Sequence, residues 1–66
     1  MDIQQEAIDM LRKLREQGVP LERALDEMKM KKYGLIPVVK AIRAVEGLSY
    51  AEAVDTIERR GDYDQF

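Results

Sequence analysis

Apolar residues recur along this chain at three- and four-residue intervals, the spacing that gives a helix one oily face. Nowhere do they alternate in the two-residue rhythm of a half-buried strand. Ile3, Ala7, Met10, Leu11 and Leu14 predict a first helix running to Arg15, with Asp2 as its cap and Gly18 as a left-handed stop. Pro20 suits the first turn of a second helix, where its missing N–H costs nothing. That helix carries Leu21, Ala24, Leu25 and Met28 on one stripe, and Lys29, Lys31 and Lys32 crowd its carbonyl end, where positive charge complements the dipole. Tyr33-Gly34 breaks the pattern. Pro37 opens a third helix through Val38, Val39, Ala41, Ile42 and Val45, and Gly47 stops it.

The fourth start is written most clearly. Ser49-Tyr50-Ala51-Glu52 is a capping box, in which the Ser49 hydroxyl accepts from the Glu52 N–H and the Glu52 carboxylate reaches back to Ser49. Leu48 and Ala53 stand where a hydrophobic staple would fix the entry angle. Ala53, Val54 and Ile57 continue the stripe until Arg59-Arg60-Gly61. The expected fold is therefore all-α, a small bundle of four short helices built as two helical hairpins with stops at Gly18, Gly34, Gly47 and Gly61. One helical domain should span residues 1–61. Residues 62–66 should form a flexible tail, loose unless its aromatics dock on the core. The core should draw on Leu11, Leu14, Leu25, Met28, Val38, Ile42, Val54 and Ile57. The halves echo each other at an offset of 29 residues, with Gly18, Ala24 and Asp26 matching Gly47, Ala53 and Asp55. Duplication of a hairpin and the shared needs of any two hairpins both account for this.

Composition changes the picture in two ways. At 66 residues the chain has room for one domain, and a domain so short buries only about 60% of its unfolded surface. It contains no Cys and no His, so disulfides and the commonest metal ligands are unavailable as supports. Helix packing or self-association must serve instead, and a homodimer is one expectation. The four methionines, Met1, Met10, Met28 and Met30, would suit an adaptable interface, although helical spacing favours Met10 and Met28 as core fillers. The formal charge is −2, from 13 acidic and 11 basic residues, against the basic excess usual in phosphate-binding domains. No apolar run approaches the roughly 20 residues needed to span a bilayer, the polar opening is unlike a signal peptide, and a cytoplasmic location is the expectation.

Side chains suited to catalysis are scarce. No histidine is present to move protons near neutral pH, and no cysteine to attack an electrophile. Ser49 and Thr56 are the only hydroxyls of their types, and Ser49 has a capping role. Glu22 and Asp26 share a helix face, yet beside Arg23 and Lys29 they read as solvated surface, as do Asp62 and Asp64. The expectation is a protein that is not an enzyme and uses no cofactor and no metal. The third helix is more informative: Lys40 and Arg43 project from one side, and Val39 at the edge of the apolar stripe would complete an aliphatic and basic patch. Such a patch suits an acidic groove or an amphipathic partner.

Residues 35–58 carry a resemblance. The run Ile36-Pro37-Val38-Val39-Lys40-Ala41-Ile42-Arg43-Ala44-Val45-Glu46-Gly47-Leu48-Ser49-Tyr50-Ala51-Glu52-Ala53-Val54-Asp55 resembles the helical hairpin in the C-terminal domain of the bacterial ribosomal stalk protein. Lys40, Arg43, Gly47, Leu48, Glu52, Ala53 and Asp55 fall on the family's motif. Leu35, Tyr50 and Val54 depart from it, and the family's three-stranded sheet has no counterpart here. In that family the hairpin docks translation GTPases through its aliphatic and basic face, which implies Val39, Lys40 and Arg43 as partner-binding positions. Residues 45–53 also resemble the entry to region four of sigma factors, although the groove-reading helix that follows in that family is missing. The expected function is a protein-interaction module, an adaptor or regulator of a larger bacterial or phage protein. The alternative is a small helix-turn-helix-type DNA-binding regulator, with Lys31, Lys32, Lys40 and Arg43 near phosphates.

Overall fold

Each helix begins and ends for a reason that can be traced to a few residues. The computed structural model describes residues 2–66, so Met1 lies outside the described residues. Helix α1 spans Ile3–Glu16, and the Asp2 carboxylate accepts from the Gln4 N–H at 3.0 Å. Helices α2 (Leu21–Met30), α3 (Leu35–Glu46) and α4 (Tyr50–Glu58) follow after short turns, and a 3-10 turn covers Tyr63–Gln65. No strand occurs among the described residues, and the bundle consists of two hairpins, α1–α2 and α3–α4. Helices α1 and α3 form the most extensive pairing, so the hairpins are held together by their first members.

Both parts of the capping box are present. The Glu52 N–H donates to Ser49 Oγ at 3.2 Å, and the Ser49 N–H donates to the Glu52 carboxylate at 3.0 Å. These bonds hold the Glu52 carboxyl below its ordinary pKa. Ser49→Ala should cost about 1 kcal/mol. In a domain this size that corresponds to a fall of about 4–8 °C in Tm, measurable by circular dichroism. An unchanged Tm would show that the box contributes nothing to stability.

Helix α3 begins two residues earlier than the proline suggests. Pro37 is its third residue, still within the first turn, where backbone N–H groups lack intrahelical acceptors. Gly47 ends α3 at φ +71 and donates its N–H to the Arg43 carbonyl at 3.1 Å. A Cβ there would meet nothing within 4 Å, so the demand for glycine is conformational.

The core is one cluster with contributions from every helix. Leu11, Leu25, Met28, Val38, Ile42 and Ile57 are fully buried, as expected, while Leu14 and Val54 pack against the cluster only partly buried. Four alanines, Ala7, Ala24, Ala41 and Ala53, are also fully buried, and small residues let helices approach closely. The offset of 29 residues reappears in burial: Ala24 and Met28 on α2 match Ala53 and Ile57 on α4. The radius of gyration is 10.5 Å, close to the roughly 11 Å of a close-packed chain this long.

One expectation about the C-terminal residues needs correction. Asp62 is not solvated surface but 8% exposed. Its carboxylate accepts from Arg60 Nε at 3.2 Å, from a terminal guanidinium nitrogen of Arg60 at 2.9 Å, and from Lys29 Nζ at 2.8 Å. Arg60 also donates to the Glu22 carbonyl and carboxylate, both at 2.8 Å, and to the Asp26 carboxylate. Glu22 and Asp26 are exposed, as expected of solvated surface, and they also grip a side chain from the far end of the chain. The tail meets its docking condition at one aromatic: Phe66 packs against the core, while Tyr63 is 38% exposed.

Candidate interaction surface

Helix α3 contacts α1 on one flank and α4 on another, so its buried arc is wide. Val38, Ala41 and Ile42 lie in that arc, and so does Val39, at 1% exposure. Val39 is therefore a core residue and cannot form the aliphatic part of a surface patch. The same wheel supplies its replacement. At about 100° per residue, Ile36 falls between Arg43 and Lys40 on the side facing away from the core. Ile36 is 52% exposed, and Lys40 and Arg43 are exposed beside it. Neither cation forms an ion pair among the described residues. An aliphatic and basic ridge thus exists on α3, composed of Ile36, Lys40 and Arg43.

Ile36 escapes a reading that starts the helix at Pro37, because it then falls in the preceding turn. The signal was available: a proline tolerated at the third helical position puts Ile36 one turn before Lys40.

Charge is partitioned along the chain. Residues 28–45 hold five basic residues, Lys29, Lys31, Lys32, Lys40 and Arg43, and none of the chain's 13 acidic ones. Lys29 is neutralised by Asp62. The other four have no ion-pair partner among the described residues, and all are exposed. Met30, at the α2–α3 turn, is 77% exposed in the same segment. These are four exposed cations without an ion-pair partner among the described residues, on a chain of net negative charge.

A second feature lies on α1. An open groove of about 490 Å³ has Met10, Leu14 and Tyr33 as its apolar lining, with Glu6, Asp9, Lys13 and Gln17 at its rim. The Tyr33 hydroxyl sits 3.3 Å from Met10 Sδ. Partial burial pushes the Tyr33 phenol above its ordinary pKa, and Glu6 adds to the effect. The groove collects the partly buried Met10 expected among the core fillers, while Met28 is fully buried.

The remaining polar groups have structural partners. Ser49 caps α4, and the Thr56 hydroxyl donates to the Glu52 carbonyl at 2.8 Å. Arg15 joins the ends of α1 and α3, with Nε 3.0 Å from the Glu46 carboxylate and a second nitrogen 2.9 Å from the Val19 carbonyl. Among the described residues no group of three acidic side chains is placed to hold a metal ion, and no helix is long and apolar enough to cross a membrane. Compared with protein-family models, curated proteins and solved structures, the chain matches none.

Proposed function

We propose that this domain is a non-enzymatic protein-interaction module, an adaptor or regulator that docks an acidic surface of a larger protein through the α3 ridge. The observation that carries this reading is the pairing of unneutralised cations, Lys40 and Arg43, with an exposed isoleucine between them. The helix bearing them is anchored by its other face in the core, so the ridge is presented without a large ordering cost. Ile36 supplies apolar area for affinity, and the cations supply orientation and on-rate against an acidic partner. The likeness of this hairpin to that of the ribosomal stalk protein supports the same face, with Ile36 taking the aliphatic role expected of Val39. A bacterial or phage machine is the setting that likeness suggests.

The test is affinity capture from cell lysate with the wild-type chain and a Lys40→Glu/Arg43→Glu variant. Both side chains are exposed and unpaired, so the variant should fold normally by circular dichroism. Its affinity for the captured protein should fall by at least about tenfold, because two attractive contacts become repulsive. Normal capture by the folded variant would overturn the reading. A competing role in binding nucleic acid draws on the same four cations, Lys31, Lys32, Lys40 and Arg43. It predicts duplex binding that weakens steeply as salt rises. The exposed Met30 and Ile36 have no counterpart on a phosphate backbone, which favours the protein partner.

A further inference from the structure

We infer that the groove on α1 is a docking site for the α3 ridge of a second copy of this chain. The inference takes the ridge as a contact surface, as the proposed function does, and adds a groove that the proposed function does not use.

Two kinds of complementarity support it. The first is chemical. The ridge offers one isoleucine and two free cations, whereas the groove offers an apolar lining of Met10, Leu14 and Tyr33 beside the carboxylates of Glu6 and Asp9. Asp9 Oδ1 already accepts from Gln5 Nε2 at 2.9 Å and lies 3.9 Å from Arg12, which leaves Asp9 Oδ2 as the oxygen facing no partner among the described residues. The second is register. Along α3 the ridge reads Ile36, Lys40, Arg43, with steps of four and three residues. Along α1, read in the opposite direction, the groove reads Leu14, Met10 and Glu6, with Asp9 beside Met10. At about 1.5 Å rise per residue the ridge spans about 10.5 Å and the groove row about 12 Å, so they differ by one residue's rise.

Antiparallel docking sets Ile36 over Leu14, Lys40 beside Asp9 and Arg43 beside Glu6. Parallel docking over the same row would bring Arg43 against Lys13 and leave Ile36 beside Glu6, so charge favours the antiparallel arrangement. A domain this small also has reason to associate, since its surface retains apolar area that its own core cannot take up. The contact is short, at the low end of interface sizes, so association should be weak and salt-sensitive.

The experiment is sedimentation velocity over a concentration series reaching about 1 mM, where weak association is measurable. It compares the wild-type chain, Lys40→Glu/Arg43→Glu and Glu6→Lys/Asp9→Lys, with folding checked by circular dichroism. The wild type should exceed monomer mass at low salt, and about tenfold more protein should be needed for the same effect at about 0.5 M salt. Each variant alone should remain monomeric. Their equimolar mixture should associate again, because the intact acidic groove of one meets the intact basic ridge of the other and the two reversed surfaces are also opposite in charge. Amide chemical shifts in a wild-type dilution series should move in both α1 and α3.

A monomeric wild type at the highest concentration would overturn the inference, as would a mixture of folded variants that stays monomeric. So would a Glu6→Lys/Asp9→Lys variant that associates like the wild type. The proposed function is tested separately, because Glu6→Lys/Asp9→Lys keeps the ridge intact. Capture of a cellular partner by that variant reads the ridge alone.

Discussion

Leu11→Ala should leave most of the domain unfolded. Leu11 is fully buried, and with Ala7 it is one of only two fully buried residues on α1. That helix forms the most extensive pairing in the fold, with α3, so it joins the two hairpins. Removing three buried carbons and leaving a cavity costs about 3–5 kcal/mol in sites of this kind. A single core of this size rarely provides more than about 3–5 kcal/mol in total. The loss and the margin are therefore comparable, and with no cysteine the chain has no disulfide to offer separate support. Urea denaturation followed by circular dichroism should find the variant without a native baseline, while Leu14→Ala, at a partly buried position, should retain one. A Leu11→Ala protein with a near-normal urea midpoint would show that α1 contributes far less than its burial implies.

Much of this architecture could be read from local rules. Capping by Asp2 and Ser49, the turns at Gly18 and Gly47 and the stripe through Ala24, Leu25 and Met28 all involve residues within four positions of each other. What escaped the sequence depends on longer range. Val39 lies at the edge of an apolar stripe whose width is set by the two helices that pack on α3, and residue spacing within α3 carries no information about those neighbours. Arg60 reads as the end of a helix, because its partners Glu22 and Asp26 are 38 and 34 residues away. Ile36 is different. Its placement followed from local rules, and it was obscured only by treating Pro37 as the start of the helix.

The ion pairs also show which charges the fold uses. Arg15, Lys29 and Arg60 each bind groups more than 30 residues distant and join separate elements. Lys31, Lys32, Lys40 and Arg43 join nothing among the described residues. Mutating the first group should therefore be felt in stability and mutating the second group in binding, which makes the two sets mutual controls.

Arg60→Met is the sharpest test of the first group. The Arg60 side chain is 9% exposed and that of Asp62 is 11% exposed, so their contact is largely withdrawn from water. Removing the guanidinium leaves the Asp62 carboxylate with Lys29 as its one remaining charged partner. The expected cost is about 3 kcal/mol, the low end for breaking a buried pair, because Lys29 stays. Acid behaviour supplies an independent readout. The Arg60 guanidinium holds the Asp62 carboxyl at about 2, against an ordinary value of 3.8, with Lys29 assisting. A carboxyl lowered on folding contributes stability that is fully present above its unfolded pKa and is lost as pH falls through the folded one. The wild type should therefore lose stability progressively from about pH 4 to about pH 2, and Arg60→Met should show a shallower decline, because Asp62 returns toward its ordinary value. An Arg60→Met/Asp62→Leu double variant should recover part of the loss, since an unpaired buried charge is then no longer left behind. A single variant as stable as the wild type, with the same acid decline, would mean that Arg60 reaches across to α2 without holding the tail in place.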